Sequence, residues 1–464
     1  MPAFDASLLA EWTAGRWSVP PSAPIHGFTN DSRRLEAGQV FVALKTGRRD
    51  GHDFLAAAAA AGASGAIVSR ADATAGLPQL VVRDPLLALQ AIARAHRRWF
   101  SGEVVGVSGS VGKTSTKDLL AQLLGGGSAV LATEGNLNNF IGVPLTLTRL
   151  DPAGHARAVI EAGISEPGEM APLADMIQPD HAVITLVAPA HLEKMGSLEA
   201  IAEEKSLLAA GRRAGGYAVF PASCLAYAAF RALPGPWLVV VDQHSLLPAV
   251  AQGTIVTFSA ESRDDQTKLA LAFNGANGHH FTLRRVSTGM AQNVVLAIAL
   301  AHQLGVSDES IQRALAHWRP AQWRGEIRRD GPRTLYLDFY NANPASMADA
   351  LDSFGAMTPA EPRLYVLGCM EELGPQSEDY HRALGHTLRL RPEDRLFLIG
   401  DQAEAVRQGV LDHDGSAGGR VTIVTGLAPV ADAIAAFAGA VFLKGSRRYQ
   451  LESALESIVA VAGH

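Results

Sequence analysis

Residues 104–120 read VVGVSGSVGKTSTKDLL: a valine-rich run, a glycine-rich turn, then a lysine and a threonine opening a stretch with apolar residues at helical spacing. A strand, a turn and a helix in that order let backbone N–H groups and a helix N-terminus converge on a phosphate. The lysine would reach the outer phosphates, and the adjacent hydroxyl suits Mg²⁺. The common form of such a loop, G-x-x-x-x-G-K-[ST], asks for glycine at position 107, which is valine here; the glycines stand at 106, 109 and 112. Gly109, Ser110, Val111, Gly112, Lys113, Thr114 and Ser115 are therefore the expected phosphate-binding residues, in a variant spacing.

Working outward, the same alternation of strand and helix fills the chain. On the amino side, VFVAL, GAIVS and LVV alternate with alanine-rich helical runs, which suggests a small α/β domain over residues 1–100. Further strands at HARAVIEAG and HAVITLV, each followed by helical sequence, predict a mostly parallel sheet within a central domain at 101–318. The pattern breaks into Pro, Trp and charge at AHWRPAQWRGEIRRDGPRT, read as a hinge. TLYLDFY, RLYVLG, RLFLIG, VTIVTG and AVFLKGS then alternate with helices through 319–464, a Rossmann-like rhythm without a G-x-G-x-x-G turn. Three α/β domains also suit 464 residues at roughly 150 per domain.

Composition excludes several classes. A formal net charge of -6 argues against a nucleic-acid binder. Cys224 and Cys369 are the whole cysteine content, far apart and outside any C-x-x-C, so neither a disulfide framework nor a zinc cluster is expected and a reducing cytoplasm fits. The amino end is a poor secretory signal. FLAAAAAAGA and AIAAFAGAVFL are too short for a membrane span and read as packed helices or a helix running into a strand.

The segment Gly109 to Thr114, G-S-V-G-K-T, resembles the ATP loop of the Mur ligases, G-[ST]-x-G-K-[ST]. TEGNLNNFIGVPLTL from Thr133 and DFYNANPASM from Asp338 are similar to segments of the family member that adds D-alanyl-D-alanine to UDP-N-acetylmuramoyl-tripeptide. DSRRLEAGQVFVALKTGRRDGHDF from Asp31, LGCMEELGPQSEDYH and LKGSRRYQLE extend the resemblance over nearly the whole chain. It implies a monomeric cytoplasmic enzyme that uses ATP and Mg²⁺ to make an amide in peptidoglycan precursor synthesis. A divergent paralogue with another acceptor, and a silent binder of UDP-sugar or ATP, are the competing readings.

A carboxylate does not react with an amine at neutral pH, so such a ligase phosphorylates it first, and crowding those anions demands a lysine and metal ions. By the resemblance, Lys113 takes the β- and γ-phosphates; Thr114 and Glu161 hold Mg²⁺; His191 stands near a second metal with Lys205, a carbamylation candidate. Asn293 reads adenine, Arg324 contacts phosphate, Asp338 the ribose, and Tyr340 and Asn341 flank the nucleotide. Asp31, Ser32, Arg33, Lys45, Asp50 and His52 are expected on the uridine nucleotide, although Asp50 and His52 could simply fix their turn. Asn136, Asn138, Asn139 and Asn343 are expected around the acceptor. Glu372, His381, Lys444, Ser446 and Arg447 are expected around the dipeptide or the closed domain interface.

Five places depart from the family pattern. Leu186 replaces an asparagine, Pro221-Ala222 an asparagine-aspartate pair, and Cys369 an aspartate; STGMAQN erodes a G-x-H-N lead-in, and Trp323-Arg324 stands where Gly-Arg is customary. None removes Lys113, Thr114, Glu161 or His191.

Overall fold

The computed structural model describes residues 2–455, apart from positions 48, 248, 250, 251, 277 and 332. Three sheets of five, nine and six strands follow one another along the chain. In the amino-terminal sheet the strands Gln79–Val81, Gly65–Val68, Val40–Val42 and Phe28–Thr29 run parallel, and Arg16–Trp17 closes one edge antiparallel. The long helix Pro85–Trp99 then leads into the second sheet, capped by Asp84, whose side chain accepts from the Leu86 and Leu87 N–H groups. Its buried Arg97 donates to the Ile177 and Gln178 carbonyls at 2.8 Å each and to Asp180 at 3.2 Å, which fixes the first domain to the second.

In the central sheet Glu103–Ser108 lies between Arg157–Glu161 and His181–Ile184, all parallel. The chain goes first to one side of this strand and then to the other, so the crevice beyond its carboxyl end is a topological switch point, where open α/β sheets bind ligands. The glycine-rich turn emerges there. Its Val107 lies inside the strand, which runs to Ser108, so the loop proper begins at Gly109. Parallel strands continue through Ala218–Pro221, Trp237–Asp242 and Gly253–Arg263. Two further strands, Gln266–Phe273 and His279–Arg284, add antiparallel. This hairpin extension was not anticipated from the sequence; Asp264 turns its first corner in the left-handed region at φ +52°.

The third sheet orders Glu326–Asp330, Arg333–Asp338, Ala440–Lys444, Arg363–Gly368, Arg395–Ile399 and Val421–Val424. All its pairs are parallel except the first hairpin. The expected hinge therefore also supplies an edge strand, Glu326–Asp330. In this sheet Asp338 and Lys444 are register partners at the carboxyl ends of neighbouring strands. FLAAAAAAGA forms the helix Leu55–Ala60, and AIAAFAGAVFL runs from the helix Ala428–Ala436 into the strand Ala440–Lys444. Among the described residues no helix is long and apolar enough to cross a membrane.

Candidate active site

A cavity of about 450 Å³ opens where the carboxyl ends of the second and third sheets face each other. Its floor is the loop Ser110–Thr114. Gly112 begins the helix Lys113–Leu123 at φ +82°, and a Cβ there would lie 2.0 Å from the Asn293 amide nitrogen. Gly109, at φ +144°, would put a Cβ 1.9 Å from the Thr185 hydroxyl. Both positions therefore exclude side chains on conformation and on space. The loop is braced from the neighbouring strand end: Ser110 N–H donates to the Leu186 carbonyl at 2.8 Å, and its hydroxyl donates to the Ala188 carbonyl at 2.8 Å.

Lys113 donates to the Gly109 carbonyl at 2.9 Å. Burial pushes its pKa down, the Glu161 carboxylate opposes that, and Arg324 adds to it. Glu161 ends the strand Arg157–Glu161 and is buried. One of its oxygens accepts from Asn138 at 2.8 Å, while the other is buried with no hydrogen-bond partner. A buried carboxylate oxygen left without a donor is costly, and a cation would complete it. Glu161, together with the Thr114 hydroxyl at the cavity wall, thus fits a hard divalent ion.

The opposite wall comes from the third domain. Asp338 is held by buried Lys444 at 2.6 Å. The Arg324 guanidinium lies 4.0 Å from the centre of the Tyr340 ring. Asn343 caps the helix Pro344–Met357 in a reciprocal arrangement with Ser346. Asp349, on that helix, accepts from the Ser287 hydroxyl at 2.6 Å and from the Gly289 N–H at 2.7 Å. It thereby ties the third domain to the start of Thr288–Gln303, the helix that carries Asn293.

Sequence profiles agree with this architecture. The Mur ligase family catalytic domain matches residues 24–97, the Mur ligase middle domain 107–301, and the Mur ligase glutamate ligase domain 323–447. The UDP-N-acetylmuramoyl-tripeptide--D-alanyl-D-alanine ligase of Bacillus subtilis is 30% identical over 419 residues, 87% of each chain. The chain belongs to the Mur ligase family. The ligase of the same description from Escherichia coli is 33% identical over 400 residues, 83% of this chain and 84% of its own. A crystal structure of MurF from Acinetobacter baumannii superposes with a TM-score of 0.85 at 28% identity, covering 99% of both chains. MurF from Thermotoga maritima in complex with ADP gives 0.76 at 26% identity, covering 93% of this chain and 96% of its own.

In this Mur ligase one cavity brings together Ser110, Val111, Gly112, Lys113, Thr114, Ser115, Glu161, His191, Asn293, Arg324, Asp338, Tyr340 and Asn341. Asn136, Asn138, Asn139, Asn343 and Lys444 line it as well. Of these, Asn139 also caps the helix Gly142–Leu147 through the Ile141 and Gly142 N–H groups. His191 sits in the left-handed region at φ +56°, its Nδ1 against the Glu372 carboxylate of the third domain. Burial lowers its pKa and Glu372 opposes that; with Nδ1 on the carboxylate, Nε2 is the nitrogen that a ligand could use.

Other expected residues lie outside the cavity wall of the Mur ligase. Lys205 is buried in the helix Leu198–Ala210; burial first, and then the charge of Lys113, drive its pKa well below the ordinary lysine value. The six first-domain residues stand apart from the cavity. Asp31 caps the turn Ser32–Arg34 and pairs with Arg33 at 2.8 Å, and the Lys45 and Asp50 backbones face each other in an isolated antiparallel bridge. His52 accepts from the Ser69 N–H at Nε2 and donates from Nδ1 to Asp50 at 2.6 Å, a turn-fixing role.

His381 is fully buried, accepts from the Met370 N–H at 2.9 Å and donates to the Ser377 carbonyl at 2.6 Å, so it holds a loop and contacts no ligand space. Ser446 is buried, and Arg447 lies over the Trp323 ring at 5.0 Å. Of the family departures Leu186, the Ser287–Asn293 segment and, through Arg324, the Trp323–Arg324 pair reach the cavity; Trp323 itself, Cys369, Pro221 and Ala222 do not line it. Asp349 was missed by sequence reasoning. Its signal was a carboxylate three residues after Ser346 on the same helix face, legible only once the opposite domain is in place.

Proposed function

We propose that this Mur ligase joins D-alanyl-D-alanine to UDP-N-acetylmuramoyl-tripeptide with ATP, through an acyl phosphate, in the cytoplasmic synthesis of the peptidoglycan precursor. The observation that carries the reading is one cavity uniting a phosphate loop, a partnerless Glu161 oxygen and the Asp338–Asn343 segment of the facing domain. Relatives of that description at 30% and 33% identity support the substrates. The three-domain division at 1–100, 101–318 and 319–464 belongs to the same proposal.

The tripeptide carboxylate oxygen attacks the γ-phosphorus and ADP leaves. The neutral amine of the dipeptide attacks the acyl carbon, gives up a proton, and the tetrahedral intermediate expels phosphate. Lys113 and Arg324 offset the negative charge that builds on the transferring phosphoryl group. Mg²⁺ would be held by Thr114 and Glu161, and by His191 at a second position, supplying further charge neutralisation. Lys205 is read as a carbamate. Burial, and then Lys113, disfavour the charged form of Lys205; the uncharged amine is the form that adds carbon dioxide, and the resulting anion relieves the repulsion.

A phosphate-release assay tests the whole reading. UDP-N-acetylmuramoyl-tripeptide, with diaminopimelate or lysine as third residue, is offered with D-Ala-D-Ala, D-Ala-D-lactate, D-Ala or L-Ala, and Lys113→Ala is the dead control. Release is expected only with a D,D-dipeptide-like acceptor. Release with single amino acids alone assigns a different Mur ligase step, and none with any pair favours a silent binder.

A further inference from the structure

Outside the cavity lining, the outer edge of the central sheet carries a second concentration of metal-ligating groups. His279 begins the edge strand His279–Arg284, His302 stands in the last turn of Thr288–Gln303, and Asp308 opens the helix Asp308–His317. One ligand atom from each lies within 4.8 Å of the others, and among the described residues no other group of three His, Cys, Asp or Glu does this. None of the three lines the cavity. His279 Nδ1 is 2.7 Å from an Asp308 oxygen. Phe273 stacks on His302 with centroids 4.6 Å apart and meets His279 edge-on at 5.5 Å, so both rings are held in place. The decisive feature is His302 Nδ1, which is buried and has no hydrogen-bond partner.

We propose that His279, His302 and Asp308 bind one divalent transition ion of the Zn²⁺ class and so staple the edge strand to the two helices. Two imidazoles and a carboxylate suit zinc, cobalt or nickel and disfavour Mg²⁺, which prefers oxygen ligands. Tetrahedral bonds of about 2.0–2.1 Å place ligand atoms about 3.4 Å apart. No separation exceeds 4.8 Å, so the contraction needed is at most about 1.4 Å, and Asp308, whose side chain is 48% exposed, is free to adjust its place. The ion displaces the proton shared between His279 and Asp308, and solvent fills the fourth position.

Co²⁺ is the probe, titrated into the full chain with Mg²⁺ in excess to occupy oxygen-rich sites. One equivalent should raise a visible d–d band that Zn²⁺ abolishes. The band should persist in His191→Gln, whereas His302→Gln and Asp308→Asn should each weaken Co²⁺ binding by at least about tenfold. Asp308 is exposed, so Asp308→Asn tests the site should His302→Gln fail to fold, and unchanged phosphate release certifies that variant as folded. No band in the parent chain, or a band that survives both site variants and disappears in His191→Gln, overturns the proposal.

Discussion

Trp323 occupies the hinge position where the Mur ligase pattern has glycine, and its φ of +61° shows why glycine is customary there. A side chain in this region costs roughly 1–2 kcal/mol. The indole offsets that cost by packing on Phe339 at 5.2 Å and under the Arg447 guanidinium. Trp323→Ala keeps the strain and loses the packing, whereas Trp323→Gly loses both, so urea denaturation should find the glycine variant more stable than the alanine one by about 1 kcal/mol. An equal or reversed order would remove strain from the explanation. Burial raises the Cys224 thiol to about 12 and the Cys369 thiol to about 11. A raised thiol pKa lowers the reactive thiolate fraction, to roughly one in a thousand for Cys369 at pH 8. A disulfide reagent at pH 8 should therefore label neither in the folded protein and both in denaturant. At Lys205 the carbamate reading predicts that Lys205→Ala loses about 10²-fold or more in kcat and partly recovers with added acetate. No rescue, with an unmodified lysine mass in bicarbonate, would oppose it.

Secondary-structure elements position the site through their ends. The helix Lys113–Leu123 delivers the loop N–H groups, the strand Arg157–Glu161 delivers Glu161, and neighbouring strands of the third sheet deliver Asp338 and Lys444 as an ion pair. The contact between Thr288–Gln303 and Pro344–Met357 rests on Asp349, which satisfies a helix-start N–H and the capping hydroxyl of Ser287 at once. Asp349→Ala leaves both donors without their acceptor, at a cost of about 1.5–3 kcal/mol to the docked arrangement. The expected readout is a raised KM for ATP and weaker protection of the Gly289 amide from hydrogen exchange. Unchanged protection there would show that the contact is incidental.

At the scale of the molecule, the first and third domains are attached differently. The first is fixed through buried Arg97 and through His96, which donates to the Leu150 carbonyl at 2.7 Å. The third meets the second at Asp349, at the His191–Glu372 contact, and along an apolar seam continuous with the central core. Residues of both domains wall the cavity, so loosening that meeting should open it. A variant combining Asp349→Ala and Glu372→Ala should show a larger radius of gyration by small-angle scattering than the parent chain. An ATP analogue with the UDP-muramoyl peptide should return it toward the compact value. Identical scattering curves for variant and parent would place the hinge elsewhere.

The alternation of short apolar strands with helical runs and the glycine-to-lysine turn were both legible in the linear chain. Each is decided by the conformational preferences of residues a few positions apart. The phosphate loop is the clearest case: Gly109 and Gly112 announced a turn that only glycine can make, even with Val107 in the wrong place for the common pattern. What the line of residues did not disclose are contacts across 60 to nearly 200 positions, because these depend on how finished surfaces pack. The Asp349 tie to Gly289, the meeting of His191 with Glu372 and the burial of Lys205 beside Lys113 belong to that class, and the gathering of His279, His302 and Asp308 from three elements within 29 positions depends on packing in the same way. A histidine's role follows from which nitrogens find partners: for His52 and His381 one partner, Asp50 or Ser377, stands two or four positions away, whereas the Ser69 and Met370 N–H groups reach the other nitrogen only through the fold.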